Sequence, residues 1–363
     1  LPLSLATLAT TRIATSDLKY QPAENSTQKG RRMTKSRKIF VCFSVTLIAS
    51  ALFGSPLAAL YLALSPKELA PYLLFPQKIT NAYKNIFLKP FGVAGEEVNV
   101  PLANGGHLRA FYFPRPNAPY TVLISHGQGQ METQIGLAHA ALASNLNVLI
   151  YDYEGYGEST GKASTSNLLS DGIAAYDYLI QKKKVKANQV IAMGSSMGTG
   201  IAANTALSRD CAALLLVAPY NSLAQAACDN ISYFKLYPSF LFPQPDLNCM
   251  PFMVKDKQRP GASKTNAAVQ TASGSTTHPV VIIHGALDQR IPVTHSRQLV
   301  AAYKENHQAK VQSSTQTKDE SNLRYVELPN CHHGDISLNI ITDELNGIVT
   351  RLEASKKTLL SKK

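Results

Sequence analysis

Val190-Ile191-Ala192-Met193-Gly194-Ser195-Ser196-Met197-Gly198-Thr199-Gly200 is the stretch from which the rest of the chain is read. The apolar run predicts a short strand, two glycines flank a sharp turn, and small residues then open a helix. Gly194, Ser196 and Gly198 spell Gly-X-Ser-X-Gly. In that geometry a serine sits on a strained strand-to-helix turn with its hydroxyl clear of the sheet. The flanking positions need glycine because a side chain there would meet neighbouring backbone. The helix that follows turns its free amides and positive dipole end toward developing negative charge.

Working outward, apolar strands alternate with helices. The expected strands are Tyr120–Ser125, Asn147–Tyr153, Gln189–Met193, Ala213–Val217, Pro279–Ile283 and Leu323–Leu328. The expected helices are Met131–Ser144, Leu168–Lys184, the segment after Ser196, Thr294–His307 and Ser337–Leu352. Ahead of them, Glu97–Val100 and Leu108–Phe113 flank an Asn104-Gly105-Gly106 turn that predicts a hairpin. Such alternation implies an α/β fold with a mostly parallel sheet covered by helices on both faces. Pro219–His278 is too long for a simple crossover and reads either as a cap insertion over the site or as a surface excursion. Gln308–Asn322 reads as a polar surface loop.

The chain has 363 residues, 45% hydrophobic and 17% charged, enough to bury a sizeable core. Its net charge of +12 is uneven. Residues 1–66 hold eight Lys/Arg against Asp17 and Glu24, so the rest is only mildly basic. With no basic–aromatic platform, a nucleic-acid partner is not expected. Five cysteines without a C-x-x-C pair give no metal or redox signature. Cys228 and Cys249 are expected either to pair in an oxidising compartment or to stay free. No cofactor and no metal are expected.

Ile39–Leu64 runs 26 residues without a charge, against the roughly 20 a membrane-spanning helix needs. It reads as an uncleaved signal anchor, with a cleaved signal peptide, and hence a secreted or periplasmic product, as the first alternative and a buried soluble helix as the second. Lys29, Arg31, Arg32, Lys35, Arg37 and Lys38 precede it, which predicts a cytoplasmic N-terminus and an extracytoplasmic main domain. The expected layout is then a basic, disordered segment over 1–38, with Met33 as a natural start, and a transmembrane helix over 39–64. A proline-punctuated connector over 65–95 follows, then a main domain over 96–355 with a cap insertion at 219–278, and a basic tail over 356–363.

A serine hydroxyl becomes a nucleophile only when a base takes its proton, and the base needs an acid to orient it. In sheets of this type the chain order is nucleophile, acid, base. Asp288 follows the apolar strand ending in Ile283-His284-Gly285, and His332 and His333 follow the last strand. Both fall at the right end of a strand and in the right order after Ser196.

With these motifs the chain resembles the α/β-hydrolase superfamily, in particular its single-pass membrane-anchored members and their bacterial relatives. The resemblance runs from about Glu96 to Leu352. It rests on His126-Gly127-Gln128-Gly129, Tyr151-Asp152-Tyr153-Glu154-Gly155-Tyr156-Gly157-Glu158-Ser159, the Ser196 turn, His284-Gly285-Ala286-Leu287-Asp288 with Arg290-Ile291-Pro292, and His333-Gly334-Asp335. It implies an α/β-hydrolase fold and a serine hydrolase that uses Ser196 as nucleophile, His333 as base and Asp288 as acid. It also places an oxyanion hole at the backbone amides of Gln128 and Met197, where losing one donor costs about 3 kcal/mol of transition-state stabilisation. The His-X-Asp register selects His333 over His332, although Asn330 and His332 stand where relatives usually have glycine. His126, His284, Ser195, Asp152 and Asp335 read as structural. The implied substrate is an ester, thioester or amide, lipid or otherwise acylated. An aminopeptidase-like enzyme is the alternative, and an inactive binding protein on the same fold is the non-enzymatic one.

Overall fold

The computed structural model describes residues 56–73, 95–129, 131–254, 278–313 and 322–361. Leu60–Lys363 form one compact unit. Of the preceding unit only Pro56–Ala59 are described, as the start of helix α1 (Pro56–Ala63). Among the described residues no helix is long and apolar enough to cross a membrane. The expected span 39–64 lies outside the described residues up to Ser55, as do segment 1–38 and connector residues 74–94.

Eight strands form one sheet in the order β1-β2-β4-β3-β5-β6-β7-β8. They are β1 (Glu96–Pro101), β2 (His107–Phe113), β3 (Thr121–Ser125), β4 (Asn147–Tyr151), β5 (Val190–Ser195), β6 (Ala213–Val217), β7 (Val280–Gly285) and β8 (Leu323–Leu328). β1 pairs with β2, and β2 with β4, antiparallel; the other pairs are parallel. The hairpin closes at the expected turn, where Gly105 takes φ +82° and the Gly106 amide donates to Asn104 Oδ1. β3, β6 and β7 are buried at every position, as continuous apolar parallel strands must be when both faces are covered.

Alternate strand residues feed two cores, because side chains along a strand point to opposite faces. Leu123, Leu149, Ala192, Leu214 and Ile282 share one core with helices α4 (Thr165–Gln181), α5 (Gly198–Ser208) and α8 (Thr294–Ser313). Val122, Ile150, Met193, Leu215 and Ile283 share the other with α3 (Ile135–Ala143) and α9 (Leu338–Ser361). The α/β architecture with helices on both faces is therefore the observed one.

Three element ends differ from expectation for identifiable reasons. α4 starts at Thr165, not Leu168, because the Ser164 side chain accepts the Asn167 amide and caps the helix three residues before the apolar pattern begins. β4 ends at Tyr151: the Asp152 amide makes one more bond to the β2 side, to the Arg109 carbonyl, and the chain then turns at Tyr153–Tyr156, where the Tyr156 amide donates to the Tyr153 carbonyl. α9 runs on to Ser361, so most of the expected basic tail is helix. Just before β3, the Tyr120 hydroxyl donates to Glu353 on this helix, and the Lys356 ammonium lies over the Tyr120 ring.

The insertion after β6 holds α6 (Leu223–Asn230), 3-10 turns at Ser232–Leu236 and Ser239–Leu241, and α7 (Met250–Val254); residues 255–277 lie outside the described residues. Phe234, Tyr237 and Phe242 give it an apolar cluster of its own. Cys228 and Cys249 do not pair: both are free, and Cys249 is packed in the core, where burial pushes its thiol up to about 12.

Candidate active site

Ser196 follows β5 directly and takes φ +50°, a conformation that costs a non-glycine residue strain. The backbone around it holds it there. Its amide donates to the Val217 carbonyl at 2.9 Å, and its carbonyl accepts the Thr199 amide and hydroxyl at 3.0 and 2.6 Å. A Cβ on Gly198 would lie 2.0 Å from the Ser125 carbonyl oxygen, and one on Gly194 2.6 Å from that of Gly198. Both obstacles are backbone, so neither site admits a side chain without moving the strands.

His333 arrives on the loop after β8 and Asp288 on the loop after β7. His333 Nε2 lies 2.9 Å from Ser196 Oγ, and His333 Nδ1 lies 2.6 Å from Asp288 Oδ2. The acid's other bonds fix the tautomer. Asp288 Oδ1 accepts the Arg290 and Ile291 amides, each at 2.8 Å, and Oδ2 also faces His284 Nε2 at 3.2 Å. Asp288 is thus ringed by donors, so His333 Nδ1 carries a proton toward it and Nε2 presents a lone pair to the serine hydroxyl. Burial alone would raise Asp288. Hydrogen bonds from His284, His333 and the Ile291 amide, with the charge of His333, outweigh it and hold the carboxyl well below the usual carboxylate range. The two loops are bound together: the Leu287 amide donates to the Cys331 carbonyl, which also leaves no room for a Cβ on Gly285.

His332 is exposed and its amide donates to Asp335. Neither Asn330 nor His332 has a positive φ, so the turn requires glycine at neither position. His284 is buried, with Nε2 donating to the Ile291 carbonyl and Nδ1 facing Ser296 Oγ. It is a partner of the acid rather than of Ser196, a contact that its place before the strand end does not disclose.

Ser196, Met197, Gln128 and His333 line one cavity of about 280 Å³. Its walls are mainly apolar and come from the cap (Ala227, Ile231, Phe234, Phe242) and from helix α2 (Pro66–Leu73), through Pro66, Ala70 and Leu73. The Gln128 side chain donates to the Leu73 carbonyl at 2.7 Å, tying α2 to the loop after β3. That helix wall is the part of the site which reading the sequence missed. A signal for it existed: Pro66 opens the helix where its missing amide is harmless, and Glu68 sits in the first turn. Pro71 inside the helix hid the pattern.

Beneath that loop, Asp152 Oδ1 accepts the Met131 amide at 2.9 Å and lies 3.6 Å from His126 Nε2. His126 Nδ1 faces the Gly127 carbonyl at 2.8 Å. Burial, with the charge of Glu132, pushes Asp152 up to about 7, and burial pushes His126 down to about 4. The two therefore bias stability oppositely. Between about 4 and 7 the folded Asp152 keeps a proton that the unfolded chain gives up, so its part of the stability falls as pH rises. Between about 4 and 6.5 the unfolded chain binds a proton that folded His126 refuses, so its part rises with pH. Asp152→Asn is expected to unmask the histidine. Its urea midpoint should drop from pH 6.5 toward pH 4, whereas the wild-type midpoint changes less. Parallel pH profiles for the two proteins would refute this pairing.

A strand order with the switch beside β3, a serine on a strained turn after β5, and partners at the ends of β7 and β8 define the class. The chain has the α/β-hydrolase fold and is similar in sequence to members of that superfamily. Comparisons with known proteins support a hydrolase in coarse terms. A family model described as Hydrolase_4, serine aminopeptidase S33, matches residues 116–244. The uncharacterized protein Rv2307c of Mycobacterium tuberculosis is 27% identical over 248 residues, 68% of this chain and 74% of that protein. Human alpha/beta hydrolase domain-containing protein 17B is 31% identical over 182 residues, and the match spans 50% of this chain and 54% of that protein. Among solved structures, the Pyrococcus furiosus esterase Pf2001 aligns with TM-score 0.55 and 16% identity over 77% of this chain and 96% of its own. An α/β hydrolase from Vibrio vulnificus aligns with TM-score 0.53 and 16% identity over 82% and 94%. At those identities the structures speak for the fold alone.

Proposed function

We propose that this chain is a serine hydrolase that cleaves a carboxylic ester or thioester of an apolar acyl group through an acyl-enzyme on Ser196. The observation that carries the reading is a Ser196–His333–Asp288 hydrogen-bonded chain opening into an apolar cavity. Ser196 Oγ attacks the carbonyl carbon as its proton passes to His333 Nε2, while Asp288 stabilises the imidazolium. The amides of Gln128 and Met197 hold the oxyanion. The tetrahedral intermediate collapses as His333 protonates the leaving alcohol or thiol. Water then gives a proton to His333 and attacks the acyl-enzyme, releasing the acid and restoring Ser196. No cofactor enters any step. We further propose that the part of the uncharged run before Leu60 anchors the enzyme in a membrane with its catalytic unit on the extracytoplasmic side, since Tyr61 is already bonded to the cap.

A peptidase reading has one observation in its favour, the serine aminopeptidase family model. An aminopeptidase needs an anion for the substrate's ammonium group. Among the described residues that line this cavity the carboxylate is Asp246, whose oxygens accept the Ser222 hydroxyl and the Ala224 amide. That commitment favours the ester. The test is turnover of nitrophenyl esters of short, medium and long acyl chains beside aminoacyl anilides. Each methylene buried is worth about 0.8 kcal/mol, so kcat/KM should climb about fourfold per methylene until the cavity is filled. Anilides with a free amino group should turn over poorly. Faster cleavage of such an anilide than of any ester would replace this reading with the peptidase.

A further inference from the structure

We propose that the face around the mouth of this cavity docks on a lipid bilayer, so that the site opens at the membrane surface. Near the end of the uncharged run that begins at Ile39, Tyr61 is packed on the cap within the catalytic unit. The Tyr61 ring stacks on Tyr237 with centroids 4.3 Å apart and planes 12° from parallel. Tyr61 Oη donates to the Leu236 carbonyl, and Tyr237 Oη donates to the Tyr61 carbonyl, each at 2.9 Å.

Those contacts gather exposed apolar side chains from two separate parts of the sequence. Leu60, Leu62 and Leu64 come from the end of the run; Tyr233, Leu236 and Phe240 come from the cap. Leu236 is 75% exposed, Phe240 71% and Leu60 55%. Aromatic and leucine side chains left out in one neighbourhood mark a docking surface. The same cap turn supplies Phe234 to the cavity wall, and α2, directly after Leu64, supplies Pro66 and Ala70. The exposed surface and the cavity lining are thus built on the same two segments.

The occupant follows from the chain leading to it. Ile39–Ser55 continues the run upstream without a charge, behind the basic cluster from Lys29 to Lys38. A second copy or a soluble partner gives no reason for an uncharged run to lead, in sequence, into Leu60. A bilayer accepts both the run and the surface. Lys235, exposed beside Leu236, suits an anionic headgroup region. An acyl chain then passes from the lipid into the cavity without crossing water. This last consequence rests on the acyl-hydrolase reading, whereas the docking itself does not.

The chain contains no tryptophan, so a single introduced one reports its own surroundings. Leu236→Trp, Phe240→Trp and, as control, Leu360→Trp are made in the full chain. All are reconstituted in vesicles of phosphatidylcholine and phosphatidylglycerol, with and without brominated acyl chains. Leu360 is 73% exposed, and its helix meets Tyr120 at the opposite end of the strands from Ser196. The cap tryptophans should emit to the blue of the control and be quenched by bromine, with the control unchanged. Cap emission and quenching equal to the control overturn the proposal. So does a blue shift that needs no vesicles and grows with protein concentration, which would assign the face to a second copy. Leu236→Glu with Phe240→Glu should lower turnover of vesicle-borne ester about tenfold and leave turnover of a soluble short ester unchanged. If the tryptophans are quenched but no ester is turned over, docking stands and the catalytic reading falls.

Discussion

Ser196→Ala is expected to abolish labelling by a fluorophosphonate probe and to lower kcat/KM on the best ester by at least about 10⁴-fold. The fold should survive the change. The substitution removes one oxygen whose side-chain partner is His333 Nε2, and that nitrogen faces the cavity, where water can replace the hydroxyl. The backbone strain is unaltered, since alanine at φ +50° is as disfavoured as serine. Ser196→Gly should be equally inactive yet more stable by about 1 kcal/mol, because glycine takes that conformation freely. His333→Ala should cost nearly as much activity as Ser196→Ala, and the double variant little more, as members of one unit do not add. His332→Ala, exposed and outside the hydrogen-bonded chain, should stay near wild type. Labelling that persists in Ser196→Ala would mean another nucleophile. A larger loss from His332→Ala than from His333→Ala would move the base.

Much of this arrangement was legible because each part leaves a local mark. Gly198 is obligatory where the helix start meets the end of β3, and Gly194 where β5 meets that helix start, and apolar runs of five or six residues mark strands buried on both faces. Asp288 and His333 stand just beyond two such runs. The chain was less readable where structure depends on contacts distant in sequence. Helix α2 looks like a proline-broken linker until its Leu69 packs with the cap cluster and Gln128 binds Leu73. The extension of α9 beyond Leu352 follows from Glu353 and Lys356 meeting Tyr120, more than 230 positions away. His284 gave the same sequence signal as any histidine at the end of a buried strand. Its bond to Asp288 depends on the loop from Arg290 to Ile291 folding back, which periodicity does not encode.

Asp288→Asn should reduce kcat by about 10⁴-fold while altering the shape of the site little. The reason lies in which atoms already face the acid. Oδ1 accepts two backbone amides, so the asparagine oxygen must take that place and its NH₂ must turn toward His333. A donor there forces His333 to put its lone pair on Nδ1 and its proton on Nε2. The imidazole then offers Ser196 a hydrogen where it needs a base. His284 can keep its bond to the Ile291 carbonyl at 2.8 Å, so the loop is not left without support. The same substitution should change the acid limb of stability. With its pKa depressed in the fold, Asp288 stabilises the protein above the ordinary carboxylate range. That contribution is lost as pH falls through the unfolded value toward the lower folded one. Urea midpoints of Asp288→Asn should therefore decline less than wild type on acidification below about pH 4. An Asn variant keeping a tenth or more of wild-type kcat would show that the acid does not set the tautomer, and Ser196 would need a different account of its activation.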